Sequence, residues 1–293
     1  MKKDITELYV FVDDFCKLTE KYINRHMLGN KPKITREVGL SNGELVTIML
    51  LYHQSPIKNF KAFCYYTLPY YKADFPKLLS YNRLVELMPR VLHLFSALLK
   101  FLLVKQTNES YVDSTPLEVC GSKRTKSHKV FCSIANLGKT TKGWFYGLKL
   151  HIIITTKGEL VDVKLTSGNV DDRKALLSMT RYLSGLLFAD KGYLGKNIFQ
   201  ALWDLGIKLV TGLRKNMKNK FISTYEKIML RKRSLIESVF NVLKNKFEIE
   251  HTRHRAVFNF LVHLISTLVA YSLTKNKPKI SQILSLIPQA SNF

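Results

Sequence analysis

The feature that most constrains the fold is the order of secondary structure predicted between residues 109 and 244. Short apolar or alternating runs predict a group of strands, after which helix and strand alternate until a final amphipathic helix. This order predicts an α/β domain with a mixed sheet and helices on both of its faces. The strands are expected at 111–113, 129–136, 144–155, 160–165, 185–190 and 207–211, and the helices at 171–183, 196–205 and 231–244.

The first hundred or so residues differ, because their apolar spacing is helical throughout. Ser41 followed by Glu44 is a capping box that predicts the start of a helix. After a turn comes a second helical segment, 58–66, rich in aromatic and lysine residues, and then a third, 81–104, that Pro89 must kink or divide. Two short helices around a turn indicate a helix-turn-helix DNA reader, although helical hairpins without any DNA role have the same pattern.

The charge of the chain points to a polyanionic partner. Its 293 residues include 46 Lys and Arg against 22 Asp and Glu, a formal net charge of +24. Nucleic acid is the expected partner, and binding should weaken steeply with salt. A membrane surface is the competing partner, but there is no concentrated juxtamembrane cluster of basic residues. The longest apolar stretch, 256–273, is interrupted by polar residues, and the N-terminus lacks a signal-peptide pattern, so we expect a soluble intracellular protein.

Three carboxylates occupy positions suited to chemistry. Asp113 and Asp190 each end an apolar strand run, which is where ligands gather in open α/β sheets, although a lone Asp there commonly serves the turn. Glu237 lies in a basic helix. At about 100° per residue, Arg233 and Lys244 fall within about 40° of it, opposite the apolar side. The plainer interpretation of that face is an exposed Arg–Glu pair four residues apart.

Clustered carboxylates suit Mg²⁺, which takes oxygen ligands, and two such ions can hold the attacking and leaving oxygens of a phosphodiester displacement. Basic residues adjoin these acids. No acidic residue lies between Glu118 and Glu159, a stretch that contains Lys123, Arg124, Lys126 and Lys149, among others. A second stretch, 214–233, holds eight basic residues and one acid. Both stretches predict a path for a phosphate backbone across the acids, although solubilising surface loops would also be basic.

The ordered motifs resemble those of the DDE transposases of bacterial insertion sequences, which have an RNase H-like catalytic core. YVDST at 111–115 is similar to the segment of their first aspartate, and ADKGY at 189–193 to that of their second. Arg233, Glu237 and Lys244 match the R(3)E(6)K signature, and the segments GLKLH at 147–151 and GNVDD at 168–172 resemble motifs between the two aspartates. The nearest group is the insertion-sequence-982 family. One departure is Leu230, where many relatives have Tyr.

The resemblance implies a reaction and roles for these residues. Asp113, Asp190 and Glu237 would be catalytic and would bind two Mg²⁺ ions, with Mn²⁺ as a possible substitute. Water would cut the ends of the element, and the freed 3′-OH would attack target DNA. Arg233 and Lys244 would contact phosphates, and the other DNA-binding residues would be Lys123, Arg124, Lys126 and Lys149.

The resemblance also implies partners and a place in the cell. The partners would be double-stranded DNA, as terminal inverted repeats and as target, and a further copy of the chain in a homo-oligomer on that DNA. The protein would be cytoplasmic in a bacterium and associated with the nucleoid when bound. We expect a helical DNA-binding region at 1–105, an RNase H-like catalytic domain at 106–256, and a C-terminal helix and tail at 257–293. Two alternatives stay open: another RNase H-like nuclease such as a resolvase, and a helix-turn-helix regulator without enzymatic activity.

Overall fold

A computed structural model describes residues 4–26, 39–141, 143–212, 222–251 and 254–280. The chain forms two compact units. The helical unit comprises Met1–Leu102, Phe247–Ile249 and His254–Leu273, and the sheet unit comprises Leu103–Lys246, Glu250–Arg253 and Thr274–Phe293. Much of the second basic stretch, at 213–221, and the tail after residue 280 lie outside the described residues.

The described residues form the following elements. The α-helices are α1 (Thr6–His26), α2 (Asn42–Gln54), α3 (Phe60–Tyr66), α4 (Tyr81–Leu87), α5 (Leu92–Leu102), α6 (Asp172–Leu177), α7 (Lys196–Asp204), α8 (Thr224–Arg231), α9 (Ser234–Asn241) and α10 (Val257–Ser272). The strands are β1 (Thr107–Cys120), β2 (Asn136–Thr140), β3 (Gly143–Thr155), β4 (Leu160–Ser167), β5 (Leu183–Ala189) and β6 (Ile207–Thr211). In the described part of the chain, no helix is both long and apolar enough to span a bilayer.

The helical unit is built around α2, most of whose residues are buried. The predicted capping box is present: the Ser41 hydroxyl accepts a hydrogen bond from the Glu44 amide at 3.1 Å, and the Glu44 carboxylate accepts one from the Ser41 amide at 2.6 Å. Helices α1 and α10 pack on α2, and α5 packs on α10. The division predicted at Pro89 is also confirmed, since α4 ends at Leu87 and a 3-10 turn containing this proline leads into α5.

The sheet unit has one mixed sheet in the order β2-β3-β1-β5-β6, with β4 also pairing with β3. Strand β1 is antiparallel to β3 and parallel to β5, which is parallel to β6. One face, which includes Val112, packs against residues of α6 and α7. The other face includes Tyr111, whose hydroxyl donates to the Met229 carbonyl of α8 at 3.0 Å. The predicted mixed sheet with flanking helices, preceded by an all-α region, is confirmed.

Two predicted strands differ most from the structure. The strand expected at 129–136 is wrong, because this segment is turns and β2 begins only at Asn136. Strand β1 does not stop at Asp113 but continues to Cys120 through Pro116. Strand β5 pairs with β1 only as far as Tyr111. Among the described strands, Pro116 therefore pairs with β3 alone, and a strand tolerates proline where one of its sides lacks a partner strand.

The two helices nearest the acids are shorter than predicted. Helix α6 ends at Leu177 rather than near 183, and the residues that follow turn into β5. The basic helix expected at 231–244 is divided: α8 ends at Arg231, α9 begins at Ser234, and a π-helical turn over Val242–Lys246 follows. Extra residues in a π-helical turn change the angular position of what comes after it, so Lys244 does not hold the position on the Glu237 face that regular α-helical spacing predicts.

Candidate active site

Two neighbouring parallel strands bring Asp113 and Asp190 together. Tyr111 of β1 pairs with Phe188 of β5, and each aspartate lies two residues beyond that pair. Because the strands are parallel, both carboxylates lie at the same edge. Burial raises the pKa of Asp113, and the charge of Asp190 raises it further. Asp190 itself caps a short 3-10 turn, where its Oδ1 accepts a hydrogen bond from the Lys191 amide at 2.7 Å.

Arg233 joins Glu237 to this pair. Its Nη1 donates to Asp113 Oδ2 at 2.9 Å, and its Nη2 donates to Glu237 Oε1 at 3.1 Å. The side chains of Arg233 and Asp113 are 22% and 23% exposed, whereas Glu237 is 61% exposed. Arg233 lowers the pKa of Asp113, but burial outweighs it and the pKa stays raised. One guanidinium therefore holds a strand carboxylate and a helix carboxylate.

The local sequence explains why Glu237 faces outward. Leu235, Ile236, Val239 and Phe240 are the buried residues of α9, so the helix can present only its polar side to solvent. The predicted Arg–Glu pair four residues apart is thus present. Helical periodicity gave no sign of the additional bond from the same arginine to an aspartate 120 residues earlier in the chain.

A fourth acid, Asp172, was not among the predicted site residues. It opens α6 directly after the N-cap Asp171. The Ser114 hydroxyl donates to its Oδ2 at 3.0 Å, and the Lys149 ammonium donates to its Oδ1 at 2.9 Å. Lys149 also donates to the Val170 carbonyl at 2.8 Å. The GNVDD segment contained the available signal, since it resembles a family motif, but no site role follows from that resemblance alone.

Tyr193, from the ADKGY segment, shows how closely the aspartates are grouped. Its side chain is 2% exposed. Burial raises its pKa well above the ordinary value, and the charges of Asp172, Asp113 and Asp190 raise it further. Three aspartates therefore lie near one buried phenol.

The predicted DNA-binding residues fall into two groups. Lys123, Arg124 and Lys126 are exposed on a 3-10 helix that follows β1. Lys149 and Lys244 are engaged within the protein. Lys149 is 14% exposed and is paired with Asp172, and Lys244 is paired with Glu250 at 2.5 Å.

The donor set has the chemistry that Mg²⁺ or Mn²⁺ requires, since Asp113, Asp190 and Glu237 offer only carboxylate oxygens. Within the ranges that the structure describes, no three carboxylate, imidazole or thiol side chains stand close enough together to hold an ion. Arg233 occupies the space between Asp113 and Glu237 instead. The three carboxylates are suitable ligands for the ion, but in this structure two of them, Asp113 and Glu237, bind Arg233.

Comparison with solved structures finds weak likenesses to the Mos1 transposase. The Mos1 strand transfer complex has 12% identity, covering 87% of this chain and 85% of that chain, with a TM-score of 0.25. The Mos1 mariner paired end complex with Mn has 11% identity, covering 92% of each chain, also with a TM-score of 0.25. Likenesses at this level add nothing to the assignment, and no curated protein matches the chain.

The family comparison is decisive. The model of the transposase DDE domain matches residues 103–257. These 155 residues are more than half of the 293 in the chain, and they contain Asp113, Asp190 and Glu237. The chain therefore belongs to the transposase DDE domain family.

Proposed function

We propose that this protein is the transposase of a bacterial insertion sequence of the insertion-sequence-982 family. It cuts DNA at the terminal inverted repeats of the element and joins the freed 3′-OH to target DNA. The observation that supports this most directly is the grouping of Asp113 and Asp190 at one edge of the sheet, with Glu237 tied to Asp113 through Arg233. A family that transfers DNA strands needs such a group of acids.

Asp113, Asp190 and Glu237 are the residues that would hold two Mg²⁺ ions, with Mn²⁺ as a substitute. Bound divalent ions lower the pKa of water and offset negative charge on the phosphate. Arg233 would exchange its two carboxylate partners for phosphate oxygens, which a guanidinium binds with two parallel hydrogen bonds. The exchange frees the carboxylate oxygens as it captures the substrate.

Exposed cations would guide the DNA to these acids. Lys123, Arg124 and Lys126 are exposed, and they can contact phosphates without giving up an ion pair with any described residue. Lys149 and Lys244 would first have to leave Asp172 and Glu250. We therefore expect the first three residues to contribute more to DNA affinity than Lys149 or Lys244.

The proposal also assigns a role to each region of the chain. Residues 1–105 would bind DNA, 106–256 would catalyse, and 257–293 would form a C-terminal helix and tail. In the first of these regions, α3 presents Lys61, Tyr65 and Tyr66 to solvent, a basic and aromatic surface that suits nucleic acid. The protein would act as a homo-oligomer on DNA in the bacterial cytoplasm, because two ends of an element must be held together.

The test is the Asp190→Asn variant, assayed for Mg²⁺-dependent cleavage of a duplex that contains the terminal repeat. We expect cleavage to be lost and duplex binding in a gel-shift assay to be kept. Asp204→Asn, an exposed aspartate at the end of α7 in the same unit, is the matched control and should cut normally. Cleavage retained by Asp190→Asn would show that Asp190 is not required for catalysis.

A second assay separates the transposase from a simple nuclease. A precleaved terminal end with a free 3′-OH is incubated with target plasmid, Mg²⁺ and the wild-type protein. Covalently joined product supports the transposase. Cleavage of the uncut end without any joining of the precleaved end would favour a resolvase-like nuclease.

A further inference from the structure

Besides the exposed basic residues after β1, the sheet unit has a groove of about 650 Å³ that is lined by more basic than acidic residues. Two glutamates, Glu109 and Glu159, lie among its lining residues. Five lysines outnumber them, which leaves a formal surplus of 5 − 2 = +3 charges: Lys157, Lys232, Lys275, Lys277 and Lys279.

Three separate segments converge to form this groove. One is the turn after β3, the second is α8 with the residue that follows it, and the third lies after α10. The Ile280 amide donates to the Thr156 carbonyl at 3.3 Å, which fastens the third segment to the first. Tyr225 of α8 donates a hydrogen bond to Glu109 of β1, which fastens the second segment to the sheet. Lysines brought together from distant parts of the sequence by fixed contacts indicate a binding surface more than a solubilising one.

The acids of the groove are already engaged, but most of its lysines are not. Glu109 accepts the hydrogen bond from Tyr225, and Glu159 accepts one from the Thr155 hydroxyl at 3.2 Å. Lys277 donates to the Thr274 carbonyl at 2.6 Å. The remaining lysines make no ion pair with any residue in the described ranges: Lys157, Lys232, Lys275 and Lys279.

The groove lies within a short distance of the candidate active site. Glu109 precedes Asp113 by four residues on β1, and a strand rises about 3.3 Å per residue, so they are roughly 13 Å apart. That distance is about four steps of a DNA duplex at 3.4 Å each. Lys232 of the groove directly precedes Arg233, which bonds Asp113 and Glu237.

We propose that this lysine groove binds the phosphodiester backbone of duplex DNA on one side of the bond that is cut. The location of that bond rests on the proposed function, whereas the preference of the groove for a phosphate polyanion rests on its own charge. Lysine ammonium groups act as point charges on phosphates and contribute affinity without reading sequence.

The experiment compares two triple variants in duplex binding, measured by fluorescence anisotropy in EDTA over a range of salt concentrations. The groove variant is Lys157→Gln, Lys275→Gln and Lys279→Gln, all at exposed positions. Each phosphate contact contributes about 0.9 to the slope of log affinity against log salt, so the slope should become shallower by about 2 to 3. The matched control removes three exposed charges elsewhere in the same unit: Lys174→Gln, Arg181→Gln and Lys196→Gln. Its slope should stay close to that of the wild type.

Two results would overturn the proposal. An equal change of slope in both triple variants would show a general effect of net charge. Unchanged duplex binding in the groove variant, together with loss of binding to a polyglutamate probe, would assign the groove to an acidic peptide. The proposed function is tested by a different assay, the cleavage activity of Asp190→Asn. A groove variant that binds like the wild type while Asp190→Asn loses cleavage would refute the groove alone.

Discussion

Replacing Arg233 with Gln tests how the carboxylates are held. Removing one partner from a buried ion pair costs about 3–5 kcal/mol, and since both Arg233 and Asp113 are about one-fifth exposed we expect a loss nearer ~2 kcal/mol from this pair. The pair with Glu237 joins residues four apart on a helix, and that acid is mostly exposed, so it should contribute ~0.5 kcal/mol or less.

The assay is urea unfolding of Arg233→Gln, Asp113→Asn, Glu237→Gln and the two double variants with Arg233→Gln. Double-mutant cycles then give the coupling energy of each pair, and we expect Arg233–Asp113 to exceed Arg233–Glu237 several-fold. Arg83→Gln is the matched control, because Arg83 pairs with Glu86 on an exposed helix face at 2.8 Å and should cost ~0.5 kcal/mol or less. A coupling to Glu237 as large as that to Asp113 would refute the reasoning.

The same variant predicts a pH dependence. Arg233 lowers the pKa of Asp113, so in Arg233→Gln the pKa should rise above its already raised value in the wild type. Below that pKa, Asp113 is protonated and no longer needs a cation. The stability lost in Arg233→Gln should therefore be greatest at neutral pH and shrink as the pH falls, and a loss that is constant with pH would contradict this.

Three further predictions concern the surroundings of the site. Burial lowers the pKa of His151 to about 4, so as the pH falls the unfolded chain binds a proton before the folded chain does. The free energy of unfolding should therefore fall by up to about 3 kcal/mol between pH 6.5 and 4. In His151→Gln, urea unfolding should show that this contribution is missing. Lys149→Met leaves Asp172 without its cation and should cost about 2–3 kcal/mol in the same assay; no loss would mean that the pair is dispensable. A Cβ on Gly147 would lie 2.1 Å from a backbone oxygen of β1, so Gly147→Ala should cost about 3 kcal/mol or more, whereas Gly192→Ala, with open space, should melt within a few degrees of the wild type.

Local signals in the sequence predicted much of the fold. Strand β6 has the predicted bounds, and the cap at Ser41 is present, because each depends on residues within one turn or one strand. The extension of β1 through Pro116 could not be predicted in this way. It depends on where β5 stops pairing, which is a property of two strands far apart in the sequence.

The site was predictable in part for the same reason. Asp113, Asp190 and Glu237 were selected from local motifs, and their roles remain a proposal. The bond from Arg233 to Asp113 is non-local, and so is the hold of Lys149 on Asp172, so helical periodicity and charge runs could not show either of them. The DNA-binding role of Lys149 stays a prediction from its place in a basic stretch, and its burial against Asp172 could not be inferred from its neighbours in the sequence.

The most direct test of the proposed site is affinity cleavage by Fe²⁺ bound in place of Mg²⁺. With ascorbate and peroxide, the bound iron generates radicals that cut the nearby backbone, and mass spectrometry maps the cuts. We predict cuts near Asp113, Asp190 and Glu237 together, competed by Mg²⁺ and lost in Asp190→Asn. Cuts near only one of these acids, or at a different place in the chain, would contradict a shared metal site.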